Sequence, residues 1–404
     1  MTKTDLAIIG GGAAGLYAAV QASPYARVTV LEAGARVGKK LLTTGNGRCN
    51  LSNRGISPAH YHSNSPRADQ KRVVEAILGT YPRESTMQTF ENLGFLFRED
   101  PEGRIYPRSD QAAAVLDALR LTADARGVQT VCDCTIKSVR RTRDGFVIAM
   151  PEGELFARTL LVASGGEASS PHNAYDLVRS LGHTVTPLFP AICPVRTAPE
   201  AVRSLKGQRA RAEVRLLADG VCAASTVGEV QFTENGLSGI CVFELSRYVG
   251  EFRTFGTVNG KPCRRVELGF NFLPELSEKE TFALVARLAS LELPEELYLS
   301  GVLPKRVAAW IAKDAPNHKV LVSRLRDARF KPAGLVPWNQ AQVTAGGVSL
   351  SEINGDASSR KVPGLFFAGE VMDVDGDCGG YNLQWAWSSA QSAVDRALRY
   401  LERI

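Results

Sequence analysis

DLAIIGGGAAGLYAAVQASPYARVTVLEAG, residues 5–34, decides the fold. A short apolar run ends in Gly10-Gly11-Gly12-Ala13-Ala14-Gly15. A helix-like segment follows, and a second apolar run, residues 28–31, stops on Glu32. This is the strand–turn–helix–strand order of a dinucleotide-binding βαβ unit, with an acid about twenty residues past the glycines. Gly10 permits the tight turn, Gly12 lets backbone N–H groups approach a pyrophosphate, and Gly15 lets the helix pack on the strand. The helix N-terminus offers N–H donors and partial positive charge to phosphates. Glu32, at a strand's carboxyl end, is placed to accept from ribose hydroxyls. The motif alone leaves FAD and NAD open.

Two later segments separate them. Residues 159–166, TLLVASGG, read as a strand running into Ala163-Ser164-Gly165-Gly166, the turn that returns the chain to the FAD domain in two-dinucleotide flavoprotein folds. Residues 362–370, VPGLFFAGE, read as a buried strand ending on Gly369-Glu370, where such folds aim an acid at the ribityl hydroxyls. Then comes Asp377-Cys378-Gly379-Gly380-Tyr381-Asn382-Leu383-Gln384. Its glycines allow close backbone approach, and a helix starting near Asn382 aims N–H donors at flavin atoms that gain negative charge on reduction. In this order the segments imply FAD.

The chain has 404 residues with ample apolar content, enough for two or three domains. Its 48 basic and 42 acidic residues leave a net charge of +6, too slight and scattered to imply a nucleic-acid partner. In the densest basic stretch (Arg203, Lys206, Arg209, Arg211 and Arg215) the last three alternate with apolar residues, as on the wet face of a strand. Eight cysteines form no CxxC and no metal-type cluster, so no metal is expected. Cys132 and Cys134 are expected on one face of a strand, and a reduced, cytoplasmic protein is the simplest account. Residues 6–26 lack charge but contain four glycines and Pro24, which argues against a signal peptide or membrane span.

Along the chain, residues 36–53 read as a loop too rich in Gly and Asn to be core. Helices are expected over 67–79, from the Ser85…Gln88 capping-box spacing to Gly94, and from Asp110 to Gly127. Residues 128–162 read as a three-stranded meander, residues 190–272 as β-like, residues 277–330 as helical, and a last helix starts near 382. The expected architecture is α/β: a two-dinucleotide-type FAD-binding Rossmann domain built from both chain ends (1–190 and 331–404), with an inserted β-rich domain (191–275) and an inserted helical domain (276–330).

Longer blocks carry a family resemblance. KKLLTTGNGRCNLSN (39–53), EGRIYPRSDQAAAVLDAL (102–119), QFTENGLSG (231–239), QVTAGGVSLSEIN (342–354) and GLFFAGEVMDVDGDCGGYNLQWAWSSAQSA (364–393) closely resemble the BaiN-like flavoproteins, also described as aminoacetone-oxidase-like FAD-binding enzymes. The resemblance implies an FAD-containing oxidoreductase of three domains. The cofactor contacts it and the motifs lead us to expect are Gly10, Gly12, Ala13, Ala14, Gly15, Glu32, Ala33, Lys39, Lys40, Thr44, Gly45, Asn46, Gly47, Arg48, Cys49, Asn50, Ile136, Ala163, Ser164, Gly165, Gly166, Gly369, Glu370, Gly380, Tyr381, Asn382 and Leu383. The chain departs from the family at Glu234 and Ile240, where His and Pro are usual.

No second GxGxxG follows the meander and no CxxxxC pair accompanies Cys49, which sets aside disulfide reductases with a resident NAD(P)H domain. NAD(P)H remains a transient co-substrate. The leading expectation is reduction of an activated C=C, such as an enone in a steroid- or bile-acid-like, apolar small molecule. An amine or aminoketone oxidase using O₂ is the alternative, and a flavin-binding RNA-associated or regulatory protein is a third class. Such a reduction needs a proton donor or oxyanion stabiliser. Tyr381 and Arg48 are the catalytic candidates, each also open to a structural role. Cys49 and Cys378 read chiefly as small turn residues, and His172 as a loop histidine near the Gly165-Gly166 turn. Trp385 and Trp387 point to different sides of the last helix.

Overall fold

The computed structural model of the chain describes residues 2–168, 174–291, 293 and 298–403. It falls into two compact units, Met1–Leu188 with Val343–Ile404, and Phe189–Gln342.

The first unit is an α/β Rossmann-type domain on a seven-stranded sheet. Its first strand, Thr2–Ile9, is continuously buried over residues 6–9, as a central parallel strand with both faces covered must be. Val28–Leu31 pairs parallel on one side, with Leu31 beside Ile9, and Gly153–Val162 pairs parallel on the other, with Val162 beside Ile9. Leu365–Phe367 joins the carboxyl half of Gly153–Val162, again parallel. These four parallel strands therefore end on one edge, and the turns at residues 10–15, 163–166 and 368–370 all leave from it. Crevices at the carboxyl ends of such strands are where open α/β sheets bind ligands.

The helix Ala13–Ala22 is short in side chain and almost wholly buried. Tyr17 lies with its ring 5.3 Å from Trp387 and 5.9 Å from Phe90, tying this helix to Arg83–Asn92 and to the last helix, Tyr381–Leu401. Both Trp385 and Trp387 are core, and their indoles donate in different directions, to Gly369 O and Leu51 O.

Several local expectations change. The meander is confined to Ser138–Arg141, Phe146–Met150 and Gly153–Val162, while Gln129–Val131 is a separate parallel strand beside Val28–Leu31. Cys132 and Cys134 sit past that strand, where Asp133 takes a φ of 52°, so they do not share a strand face. Ser85 opens no helix: Arg83–Asn92 starts two residues earlier, and the Ser85 hydroxyl donates to Pro82 O at 2.7 Å inside the first turn. The capping box that forms is Ser277 with Glu280, ahead of Glu278–Ala289. Residues 36–53 are not excluded from the core either: Leu41, Cys49, Leu51, Ser52 and Asn53 are buried.

The second unit holds an antiparallel seven-stranded sheet. Its central hairpin joins Arg209–Ala218 to Val221–Phe232 through Asp219-Gly220, both at positive φ, the turn that matches strand twist. Arg209 and Arg211 are exposed between buried Ala210 and Ala212, as the alternation implied. The expected β-like run is interrupted by a sixteen-residue helix, Ile240–Phe255. Its β-branched and aromatic residues favour strands locally. Yet Cys241, Val242, Leu245, Ser246, Val249 and Gly250 share one buried helical face.

Candidate functional site

Close backbone approach shapes the glycine turn at the end of the first strand. Gly10 has a φ of 103°, and a Cβ there would lie 2.5 Å from Ala163 O. A Cβ on Gly15 would lie 1.9 Å from Gly10 O, so the helix can start only over a bare glycine. Gly12 differs: nothing lies within 4 Å of its Cβ position, and as N-cap it provides no side-chain cap to the helix carrying Ala13 and Ala14. The turn thus leaves open space in front of an uncapped helix N-terminus. Glu32 closes the motif from behind, Oε2 accepting from Gly11 N at 2.7 Å and Oε1 from Gly34 N at 2.8 Å, with half-buried Ala33 between. Each carboxylate oxygen keeps a further acceptor position for a ribose hydroxyl.

Residues 36–53 wind back against this edge. Lys39 is exposed, while Lys40 Nζ lies 2.7 Å from Glu370 Oε2. The turn Leu41–Gly47 bends through left-handed Gly45, Asn46 and Gly47, and the Thr44 hydroxyl donates to Leu41 O at 2.6 Å. Arg48 Nε donates to Gly45 O at 3.1 Å, and its guanidinium lies 4.9 Å from the Tyr106 ring centre. Cys49 is buried at a φ of 59°, and burial pushes its thiol up to about 12, which makes it a turn-filling residue rather than a nucleophile. Asn50 Oδ1 is buried with no hydrogen-bond partner.

The remaining expected residues arrive from the other strand ends. A Cβ on Gly166 would meet Thr344 Oγ1 at 2.5 Å and Glu370 Oε1 at 2.8 Å, while Thr344 N donates to that same Glu370 oxygen at 3.0 Å. Ser164 Oγ accepts from Ala174 N at 3.2 Å, between Ala163 and left-handed Gly165. Gly369 sits at a φ of 74°, held by Ser389 Oγ, with its Cβ position 3.1 Å from the Ala14 methyl. Gly380 is the N-cap of the last helix at a φ of 104°, again with no side-chain cap. A Cβ on it would meet Ser52 O at 2.4 Å and Asn50 Oδ1 at 2.7 Å. The Asn382 amide is turned back on Gly376 and Asp377, and Leu383 is half-buried behind it. Ile136 packs half-buried against the same apolar core. The structure therefore brings the segments around residues 10–15, 40–50, 163–166, 369–370 and 380–383 together in one unit. His172 lies outside the described residues.

These residues fit a flavin dinucleotide. Two helix N-termini face the site without side-chain caps, one behind the open Gly12 cradle, and an orphaned buried acceptor, Asn50 Oδ1, stands beside the second.

One cluster has no counterpart among the expected residues. Asp377 Oδ2 lies 2.8 Å from His60 Nδ1, and its Oδ1 lies 2.8 Å from His62 Nε2. Burial raises the Asp377 carboxyl, but the two imidazoles outweigh it and hold the group below the usual carboxylate value. Fully buried Asp373 accepts from Ser63 Oγ, Ser65 Oγ and Asn64 N, so residues 60–65 clasp the strand before the Gly379-Gly380 turn twice. Tyr381, 7% exposed, stacks on His60 with ring centres 4.4 Å apart and accepts from the Tyr61 hydroxyl at its carbonyl. The sequence held one local sign of this clasp: Asp373, Asp375 and Asp377 alternate just ahead of the glycines.

The two departures from the family have local explanations. Glu234 forms an exposed pair with Lys206 at 2.7 Å. Ile240 is the first residue of its helix, after the N-cap Gly239, a position where proline is equally at home.

Residues 4–396 match the HI0933-like protein Rossmann domain family. A 3-dehydro-bile acid delta(4,6)-reductase of Clostridium scindens is 32% identical, over 96% of this chain and 97% of that protein. A ribosomal RNA dihydrouridine synthase of Haemophilus influenzae is 30% identical over 96% of each, and one of Escherichia coli is 29% identical over 96% of this chain and 97% of its own. Among solved structures, a 3-ketosteroid delta1-dehydrogenase from Sterolibacterium denitrificans superposes with a TM-score of 0.52 at 14% identity, covering 99% of this chain and 100% of that one. At that identity the likeness is one of fold. The glycine turn, the returning strands and the uncapped last helix are thus those of a two-dinucleotide-type FAD-binding Rossmann domain, and the BaiN-like resemblance is borne out: the chain belongs to the HI0933-like Rossmann-domain family.

Proposed function

We propose that this chain is an FAD-dependent reductase of a carbon–carbon double bond conjugated to a carbonyl, with reduced nicotinamide as its electron source. One observation carries the reading. Relatives similar along nearly the whole chain bear names for two unlike substrates, a 3-dehydro-bile acid and ribosomal RNA. Saturating a Δ4 or Δ6 bond beside a 3-ketone and saturating the 5,6 bond of uracil are the same transformation: in each, the alkene is conjugated to a carbonyl. What this chain shares with both is best taken as the machinery for that step.

FAD, when bound, supplies the two-electron hydride chemistry. The chain's own residues bind and orient. The helix N-terminus at Gly380 directs N–H groups and partial positive charge to where negative charge accumulates. The open N-terminus at Gly12 and the Glu32 carboxylate would take the pyrophosphate and ribose, and the Lys40–Glu370 pair would help to hold the cofactor. Arg48 is an anion stabiliser in this reading, and Tyr381, stacked on His60, is a packing residue at the start of the last helix.

An apolar steroid-like enone is the first substrate class to test. Uridine in RNA is the second, favoured by the two dihydrouridine synthases among the relatives. The test is anaerobic stopped flow on holoenzyme. NADH or NADPH should bleach the flavin absorbance, and 4-androstene-3,17-dione or a uridine-containing RNA oligonucleotide should restore it. No reoxidation by either, together with stoichiometric peroxide from aminoacetone in air, would replace this reading with an oxidase.

A further inference from the structure

Reduction of a conjugated alkene adds hydride at the β-carbon and a proton at the α-carbon, so the site needs a proton donor that solvent can recharge. We infer that His60 is that donor, delivering a proton from Nε2 to the substrate while Asp377 holds the ring. The inference rests on the enone reading above.

The geometry is specific. Asp377 Oδ2 lies 2.8 Å from His60 Nδ1, so the ionised carboxylate accepts from an Nδ1–H that stays on the ring, and Nε2 is turned away from it. The second oxygen of Asp377 takes His62 Nε2 at the same distance, so the carboxylate cannot swing off the ring. Asp377 N also donates to His60 O at 2.9 Å, and the Asn382 amide donates to Asp377 O at 3.2 Å. The imidazole is thereby mounted on the turn that opens the last helix. Its face lies on Tyr381, the first residue of that helix, with ring centres 4.4 Å apart and planes 25° apart. The His60 side chain is 37% exposed, which leaves an edge for protons to arrive from water.

Other groups nearby serve the role less well. Tyr381 is buried, and a phenol gives up its proton far above neutral pH, whereas imidazole ordinarily titrates near it. The titratable and charged groups around His60 are Asp377, His62, Tyr381 and Tyr61, with Asp375 across the strand from His62 and Arg104 against Gly379. A carboxylate that orients one ring nitrogen while the other handles the proton is a recurrent acid–base arrangement.

The step balances. Bound FAD, once reduced, would supply the hydride for the new β-carbon–hydrogen bond; the π bond breaks and its electron pair passes as negative charge to the carbonyl. The proton leaving Nε2 forms the α-carbon–hydrogen bond. The imidazole left neutral regains a proton from water.

The test compares wild-type, His60→Gln, Asp377→Asn and Tyr381→Phe holoenzymes after photoreduction. The oxidants are 4-androstene-3,17-dione and the uridine oligonucleotide. His60→Gln should slow reoxidation about 10²- to 10⁴-fold with little change in KM and flatten the pH profile, while flavin content and absorbance stay as in wild type. Tyr381→Phe should keep the wild-type pH profile. A second readout needs no turnover. Diethylpyrocarbonate should label His60 in holoprotein, read by peptide mass spectrometry, and saturated 5α-androstane-3,17-dione should protect it if the steroid is the oxidant, the oligonucleotide if uridine is. A wild-type enzyme reoxidised by neither oxidant overturns the enone reading and the role of His60 with it. An active wild type whose His60→Gln variant keeps its rate and pH profile, or a His60 that the ligand leaves unprotected, overturns the role of His60 alone.

Discussion

Lys40 Nζ and Glu370 Oε2 lie 2.7 Å apart across 330 residues of chain, and the pair joins the loop after the glycine turn to the end of the Leu365–Phe367 strand. Glu370 is additionally tied to Thr344 N, so removing the ammonium leaves a largely buried carboxylate with one anchor fewer. Leaving such a group short of a partner costs on the order of 1–3 kcal/mol. Lys40→Met should therefore weaken FAD retention roughly tenfold or more, one decade being about 1.4 kcal/mol. Titration of apoprotein with FAD, followed by quenching of flavin fluorescence, reads this directly. Unchanged affinity would place Lys40 outside the cofactor site.

The glycines at 12 and 15 should separate folding from binding. Gly15→Ala drives a methyl into Gly10 O at 1.9 Å and should abolish the folded protein, since the helix backbone itself would have to move. Gly12→Ala meets nothing within 4 Å and should fold with a Tm within a few degrees of wild-type apoprotein. Its methyl would instead occupy the space in front of the helix N-terminus, so the variant should purify without flavin. Flavin content and apoprotein Tm, measured side by side, check both halves. A Gly12→Ala protein that keeps full flavin would move the phosphates away from this turn.

Burial raises the Cys49 thiol to about 12 and Cys222 is exposed, so the two should differ sharply toward thiol reagents. At pH 8 an Ellman titration of the folded protein should consume Cys222 promptly, while Cys49 stays unreacted until denaturant is added. Peptide mapping after alkylation identifies which cysteine is which. Fast labelling of Cys49 in the native state would contradict its packing.

How much of this was legible beforehand depended on sequence distance. The residue 10–15 turn and Glu32 declare themselves within one window because the chemistry there is made by consecutive backbone groups. The Gly380 turn was legible for the same reason, and so was the alternation of Arg209 and Arg211 on the hairpin. The His60–Asp377–His62 cluster was not, because the two histidines lie more than 300 residues from the aspartate and nothing local distinguishes His60 from a surface loop histidine. The helix Ile240–Phe255 was hidden by propensity: its residues suit a strand, and only packing against the sheet selects the helical face. Residues 36–53 misled in the opposite sense. Their glycines and asparagines suggested an exposed loop, yet those residues supply left-handed turns that fold Leu41, Cys49 and Leu51 into the core.

Asp377 also gives the fold a pH dependence whose sign is fixed. Burial works to raise its carboxyl, but hydrogen bonds and charge from His62 and His60 prevail, so its folded value lies below the unfolded 3.8. A depressed carboxyl contributes stability that is present in full above the unfolded value and is lost as pH falls through the folded one. Asp377→Asn removes that contribution. Deleting the charge-assisted bonds is worth on the order of 2 kcal/mol. At roughly 2–4 °C per kcal/mol for a unit of this size, the variant should melt about 4–8 °C below wild type at pH 6. The gap should narrow as pH drops below about 4 and close once wild-type Asp377 is itself protonated. Paired thermal melts of the two proteins from pH 6 down to pH 3 follow the difference, which cancels the carboxylates common to both. A gap that stays constant to pH 3 would show that the clasp does not depend on the ionised carboxylate.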